Sequence, residues 1–296
     1  MTSFLLFVVA FVGGALNAVA GGGSFLTLPT LLYAGVAPVS ANATSTFAMW
    51  PASLASALAY RGEIARARRW MFRLGAISLL GGLLGGLLLV RTSDESFVRL
   101  LPWLMLVAAT TFSFGARLTA WARARRPVRA APAAPPAYAE VSTPTAAEPG
   151  VRGERAGSPR VGLGESRGPD GHAGSIHNVH VPVWTLPLQL VIAIYGGYFG
   201  GGMGIMMLAA MAVAGMTDMH EMNGLKTALA IAINGVALAA FIASGSISWA
   251  PGIVMAVGGI SGGYAGASVA RRVPGAAVRR IVIVVAWTMT AYFFLR

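Results

Sequence analysis

Long apolar runs separated by short polar stretches make up most of the chain. The runs cover residues 3–20, 24–37, 41–60, 71–90, 97–116, 184–199, 203–216, 221–243, 249–270 and 277–295. A helix needs about 20 apolar residues to cross the hydrocarbon core of a bilayer, and most of these runs approach that length. The pattern therefore predicts an all-α, polytopic membrane protein with about ten transmembrane helices.

Two of the runs, 24–37 and 203–216, are short, and each follows a run of glycines. Short, glycine-interrupted segments at matching positions of two halves are typical of the binding site of secondary transporters. Such interruptions predict broken helices, whose N-terminal amides and positive dipole ends suit an anion. Close packing between helices is the alternative explanation for the glycines.

Four landmarks recur in the same order in the two halves of the chain. The pairs are GGGSF at 21–25 with GGGMG at 200–204, Asn42 with Asn223, GGLLGG at 81–86 with GGISGG at 258–263, and FVRLL at 97–101 with AVRRI at 277–281. Their offsets are 179, 181, 177 and 180 residues, which indicates a duplication. We predict a first repeat over 1–120 and a second over 183–296. With five spans in each repeat, the second is inverted relative to the first.

Composition and charge agree with a membrane protein and orient it. The chain is 56% hydrophobic and 11% charged, whereas soluble domains have about a quarter of their residues charged. The net charge of +12 comes from arginines grouped in loops near 61–73, 117–129 and 271–280, which is the positive-inside pattern. We therefore expect contact with a lipid bilayer, not with nucleic acid. Ten spans would place all three loops in the cytoplasm and both termini outside.

Residues 121–182 differ from the rest because they are basic, rich in Pro, Gly and Ala, and poor in large aliphatic side chains. Such a composition predicts a disordered linker, here on the cytoplasmic side. The segment contains His172, His177 and His180 without regularly spaced carboxylates, and the chain has no cysteine. We therefore predict no metal site and no cofactor.

Glycines and polar residues around the two breaks are the candidates for substrate binding. They are Asn17, Gly22, Gly23, Ser24, Asn42, Thr44, Ser45, Gly201, Gly202, Asn223, Lys226 and Asn234. Backbone amides at the glycines and neutral side-chain donors suit a small anion. Each neutral side chain taken alone fits an interhelical hydrogen bond equally well.

Lys226 is the only lysine of the chain. Asp218 and Glu221 predict a helix that begins near Met219, which places Lys226 about two turns, roughly 10 Å, inside it. An ionisable group within a membrane segment indicates a functional site, here one that attracts an anion. The alternative is an interfacial lysine that extends to the membrane surface or pairs with Glu221.

Four stretches of the sequence are similar to a known family. They are GGALNAVAGGGSFLTLPTLL, ANATSTFAMWPASLASALAYRG, NGLKTALAIAINGVALAAFIASGSISW and GGYAGASVARRVP. Together they resemble the sulfite exporter TauE/SafE family, also called the 4-toluene sulfonate uptake permease family, over both apolar halves. The resemblance implies transport of sulfur-containing anions, such as sulfite, sulfonates, sulfoacetate or thiosulfate, across the bacterial inner membrane.

The combined hypothesis is a secondary transporter, an exporter of small sulfur-containing anions that works by alternating access around a midplane site. The sequence does not determine which sulfur anion is transported, in which direction, or with which coupling ion. It also leaves the oligomeric state undetermined, and a homo-oligomer is one option. An anion channel and a transporter of another small organic anion are the alternatives. A third is an intramembrane hydrolase with Ser24 as nucleophile and His220 as base, but no third group orients the base. We therefore predict no enzyme and no catalytic residue.

Overall fold

The structure is a computed structural model, and it describes residues 2–20, 22–124, 182–269 and 275–295. These residues form eleven α-helices and no strands. The helices are α1 (Thr2–Ala20), α2 (Ser24–Tyr33), α3 (Pro38–Ala59), α4 (Arg61–Arg66), α5 (Arg68–Arg91), α6 (Asp94–Ala124), α7 (Thr185–Tyr198), α8 (Met203–Ala214), α9 (Met219–Ala243), α10 (Trp249–Val269) and α11 (Gly275–Leu295). The all-α fold class is confirmed.

Each of the ten apolar runs corresponds to one helix, and two details differ from the prediction. The short helix α4 lies in an arginine-rich loop that the sequence did not assign to a helix. Helix α6 continues to Ala124, four residues past the end predicted for the first repeat. The rest of the predicted linker, with its three histidines, lies outside the described residues.

Three stretches of the described chain are long and apolar enough to cross a membrane, judged by length and composition. They are Arg68–Arg91, Asp94–Gly115 and Met219–Ala243. Shorter apolar stretches are Thr2–Asn17, Ser24–Tyr33, Thr185–Tyr198, Met203–Ala214 and Arg280–Leu295. The chain is a polytopic membrane protein, and the number of ten spans stays a prediction.

Large apolar side chains are exposed on the outer faces of these helices. Phe72 is 75% exposed on α5, Trp103 is 60% exposed on α6 and Val284 is 64% exposed on α11. Soluble proteins rarely expose such surface over many helices, whereas hydrocarbon chains of lipids cover it at no cost. The outer surface is therefore suited to a bilayer.

The glycine break before α2 reverses the direction of the chain. A Cβ on Gly23 would lie 2.6 Å from the carbonyl oxygen of Gly13, and one on Gly13 would lie 3.3 Å from Cγ2 of Thr27. Helix α2 therefore runs back along α1. The sequence had instead suggested one spanning helix that is interrupted at the glycines, and this expectation is wrong. In the second half, Gly200 and Gly202 have φ angles of 80° and 82°, which favour glycine, in the turn between α7 and α8.

The motifs GGLLGG and GGISGG hold helices of opposite repeats together. A Cβ on Gly82 of α5 would lie 2.7 Å from the carbonyl oxygen of Ile233 on α9. At the matching place, a Cβ on Gly259 of α10 would lie 2.9 Å from the carbonyl oxygen of Ala48 on α3. The glycine-rich helix of each predicted repeat, α5 or α10, thus packs against a helix of the other predicted repeat.

Candidate functional site

A cavity of about 60 Å³ lies among α1, α2, α3, α8 and α9. It is lined by Asn17, Ser24, Thr46, Met49, Ser53, Gly200, Met203, Gly204, Lys226, Thr227, Ala230 and Asn234. A cavity needs about 10–15 Å³ by this measure to hold one water, so this one holds a few waters or one small ion. Both short helices contribute their N-terminal turns to the wall.

The lining residues of α3 and α9 occupy equivalent positions of the two predicted repeats. The pairs are Thr46 with Thr227, Met49 with Ala230 and Ser53 with Asn234. Each pair is 181 residues apart, the same offset that relates Asn42 to Asn223. Matching faces of two repeat-related helices therefore meet across the cavity, as they do at the substrate sites of transporters built from repeats.

Among the described residues that line the cavity, Lys226 is the one with a charge, and none is a carboxylate. The ion pairs within the described residues join Arg66 to Glu63, Arg66 to Glu221 and Arg99 to Glu95, so Lys226 takes part in none of them. A cation within a membrane-spanning segment that has no counter-charge is costly, even where neutral polar side chains surround it. A bound anion would offset that cost.

The carboxylates at the start of α9 have partners other than Lys226. Asp218 caps the helix by accepting hydrogen bonds from the backbone nitrogens of His220, at 2.7 Å, and Glu221, at 3.2 Å. This confirms the predicted start of the helix. Glu221 is only 5% exposed and pairs with Arg66 on α4 at 3.2 Å. Glu221 therefore does not neutralise Lys226, contrary to the alternative interpretation of the sequence.

Four of the twelve predicted site residues line the cavity together: Asn17, Ser24, Lys226 and Asn234. The predicted glycines do not line it. A Cβ on Gly22 would lie 2.6 Å from Cγ1 of Val282, and one on Gly202 would lie 2.9 Å from Cβ of Ala108. The glycines at the breaks thus allow close packing and tight turns, and in this way they place the first residues of α2 and α8 at the cavity.

The other predicted polar residues make structural hydrogen bonds away from the cavity. Asn42 Nδ2 donates to Tyr198 O at 2.8 Å, Thr44 Oγ1 accepts from Ser248 N at 3.0 Å, the hydroxyls of Ser45 and Thr27 lie 2.6 Å apart, and Asn223 Nδ2 donates to Met219 O at 2.9 Å. These bonds join helices or close a helix turn. None of the four predicted residues lines the cavity in this structure.

Ser53 lines the cavity although it was not among the predicted site residues, and so do Thr46 and Thr227. On α3, Thr46 and Ser53 are seven residues apart and therefore lie on one helix face, two turns from each other. The 181-residue offset leads from these two residues to Thr227 and Asn234. Helical spacing combined with the repeat could thus have identified them.

Replacing Asn42 with Ala should lower stability and leave anion binding unchanged. The Tyr198 carbonyl would lose its side-chain donor at a position where Asn42 is only 1% exposed. An unsatisfied buried acceptor costs about 1–3 kcal/mol, so thermal unfolding of the purified variant should begin at a lower temperature. Loss of anion binding at unchanged thermal stability would instead return Asn42 to the substrate site.

The Ser24–His220 pair of the hydrolase hypothesis is not assembled. Ser24 lines the cavity, whereas His220 is exposed at the first turn of α9 and is absent from the cavity wall. The residue of α9 that does reach the cavity is Lys226.

Comparisons with known proteins give matches over nearly the whole chain. The sequence model of the family described as "Sulfite exporter TauE/SafE" matches residues 6–293. A "Probable membrane transporter protein" of Haemophilus influenzae is 24% identical over 288 residues, which are 97% of this chain and 92% of that protein. The "Probable membrane transporter protein ORF9" of Sinorhizobium sp is 24% identical over 284 residues, 95% of this chain and 87% of that protein. No solved structure matches the chain significantly.

The family match covers both repeats, and the relatives cover the chain nearly from end to end. These names describe membrane transporters and no enzyme, in agreement with the apolar helices and the cavity between the repeats. The chain belongs to the sulfite exporter TauE/SafE family and is a membrane transporter.

Proposed function

We propose that the chain is a secondary transporter that exports small sulfur-containing oxyanions, sulfite or a short sulfonate, across the bacterial inner membrane. The observation that carries this proposal is that Lys226 lines a cavity to which the first turns of α2 and α8 also contribute, while none of the described lining residues is a carboxylate. Each of these turns adds a positive dipole end to the charge of the ammonium. The family description supplies sulfite as the first substrate to test.

Charge and size narrow the substrate class. One ammonium is matched by one negative charge, and a cavity of about 60 Å³ has space for a small oxyanion. Lysine acts as a compact point charge, so it tolerates oxyanions of different shape. We therefore expect sulfite and short alkyl sulfonates to bind more tightly than bulkier aryl sulfonates.

Alternating access is favoured over a continuous pore because equivalent faces of α3 and α9 meet at the cavity. If the two repeats exchange conformations, the helices that close one side of the cavity open and their counterparts close the other. The cavity then stays in place and faces first one side of the membrane and then the other. A channel would not need this relation between the lining residues of the two repeats.

The membrane potential supports export. When a divalent anion is bound, the site with Lys226 carries one net negative charge as it moves outward. When a monovalent anion is bound, the loaded site is neutral, and the empty site then carries the positive charge of Lys226 as it returns inward. In either case an inside-negative potential favours outward movement of negative charge by about 2.3 kcal/mol per charge per 100 mV. Export therefore needs no coupling ion.

Purified protein in liposomes tests the proposal. Vesicles loaded with radiolabelled sulfite should release it faster than protein-free vesicles, and an imposed potential, negative on the protein's cytoplasmic side, should speed net export. Methanesulfonate, which carries one negative charge, should compete more strongly than the divalent anions sulfate and thiosulfate, and the bulkier toluenesulfonate should compete more weakly than methanesulfonate. If no sulfur oxyanion is released above the protein-free rate, while another small organic anion is, the sulfur assignment is wrong.

A further inference from the structure

Three hydroxyl groups of residues in the cavity wall already donate their single hydrogen in hydrogen bonds to backbone carbonyls. Thr46 Oγ1 donates to Asn42 O at 3.0 Å, Thr227 Oγ1 donates to Asn223 O at 2.8 Å, and Ser53 Oγ donates to Met49 O at 3.2 Å. In each case the acceptor is the backbone carbonyl four residues earlier in the same helix. Because a hydroxyl has one hydrogen and two lone pairs, these groups can only accept further hydrogen bonds.

The cavity wall carries both hydrogen-bond acceptors and donors. The three hydroxyls that already donate belong to α3 and α9, and one of them, Ser53, also accepts a hydrogen bond from Asn17 Nδ2 at 3.2 Å. The ammonium of Lys226 is a pure donor, and the first turns of α2 and α8 carry the helix ends that attract negative charge. A ligand that fills the cavity therefore meets groups that only donate and groups that only accept.

A simple oxyanion such as sulfate satisfies only the donors. Its oxygens carry lone pairs alone, so oxygens that face Thr46 and Thr227 would leave both hydroxyls without the hydrogen bond that water gives them. Sulfate also carries two negative charges against the single charge of Lys226. An oxyanion with one negative charge and one O–H or N–H group would match the wall better on both counts.

We propose that this cavity selects monovalent oxyanions that carry a hydrogen-bond donor of their own, and that Thr46 and Thr227 read that donor. The inference rests on the transport function proposed above and defines its substrate class more closely. For sulfite, the matching form is hydrogensulfite, not the dianion. The anion's oxygens face Lys226, and its O–H or N–H points to the threonine hydroxyls of α3 and α9.

Two isosteric monovalent anions test this selectivity without a change of pH. Sulfamate, H₂N–SO₃⁻, and methanesulfonate, H₃C–SO₃⁻, have the same number of heavy atoms and differ in an NH₂ donor against a methyl group. Each is titrated as an inhibitor of labelled sulfite flux in proteoliposomes of the full chain. We expect sulfamate to inhibit at a concentration about two- to tenfold lower than methanesulfonate, which is the effect of one net hydrogen bond.

Variants test whether Thr46 and Thr227 cause the preference for sulfamate over methanesulfonate. The double variant Thr46→Val, Thr227→Val removes both acceptors at nearly constant shape and should bring the ratio of the two inhibition constants to about one. The corresponding double variant to Ser keeps both hydroxyls and should keep the preference. The matched control is Thr290→Val, since Thr290 makes the same bond to Ala286 O, at 2.7 Å, but lies on α11 away from the cavity.

Equal inhibition of the wild-type protein by the two anions would overturn the inference, and this readout depends on no variant. A preference that survives in the Val double variant would overturn the role of the two threonines. Sulfite flux with no preference would leave the proposed function intact and remove only the selectivity. Absence of sulfite flux from the wild-type protein would contradict the proposed function itself.

Discussion

Lys226→Met should bind sulfite at least about 30-fold more weakly than the wild-type protein. Removing one member of a desolvated charge pair costs about 2–5 kcal/mol, and here the bound anion would lose the one cation among the described residues of the cavity wall. Methionine has a similar length and a similar helix propensity, so α9 should form as before. Titration calorimetry on the purified protein in detergent measures the change directly.

Two companion variants separate charge from shape. Lys226→Arg keeps the charge but replaces a compact ammonium with a planar fork, so it should retain part of the affinity. Arg280→Met removes an exposed cation of α11 that is not in the cavity wall, and it should bind like the wild-type protein. Wild-type affinity in Lys226→Met would mean that the lysine only extends to the membrane interface.

Gly85→Ala should prevent the two repeats from packing together. A Cβ at this position of α5 would overlap the carbonyl oxygen of Ile194 and lie 2.7 Å from the backbone nitrogen of Tyr198, both on α7. Backbone atoms on both sides cannot move aside as a side chain can, so the cost should reach the upper part of the 1–3 kcal/mol typical of overpacking, or exceed it. The yield of monodisperse protein on size exclusion and the midpoint of thermal unfolding should both fall.

Gly75→Ala is the matched control on the same helix. A Cβ on Gly75 would meet no atom within 4 Å, and alanine favours a helix over glycine by about 1 kcal/mol. This variant should therefore unfold at the same or a higher temperature. If Gly85→Ala and Gly75→Ala behave alike, α5 and α7 do not pack as closely as described.

The repeat carried most of the information that the sequence held about the site. Its offset of 181 residues relates α3 to α9, and the cavity lies where these two helices face each other. An uncommon residue, the single lysine, added the charge. Both signals can be read from the sequence without knowledge of any side-chain contact, so the position of Lys226 within α9 could be predicted before its surroundings were known.

Side-chain partners were not predictable in the same way. Asn42 and Asn223 occupy equivalent positions, yet Asn42 bonds to the carbonyl of Tyr198, 156 residues away, while Asn223 bonds within its own helix. Only the tertiary arrangement that brings the end of α7 to Asn42 decides between these outcomes. The glycine runs were ambiguous for a related reason, because a residue without a side chain suits a tight turn, a close helix contact and an anion site equally well.

Counterflow of labelled sulfite tests the central claim, transport of an anion through the cavity of Lys226 by alternating access, most directly. Vesicles that contain unlabelled sulfite are diluted into a trace of labelled sulfite, and the label inside is followed with time. The account predicts a transient accumulation of label above equilibrium in wild-type vesicles, a smaller one with Lys226→Arg and none with Lys226→Met. Simple equilibration without accumulation in the wild-type protein, or full accumulation with Lys226→Met, would contradict it.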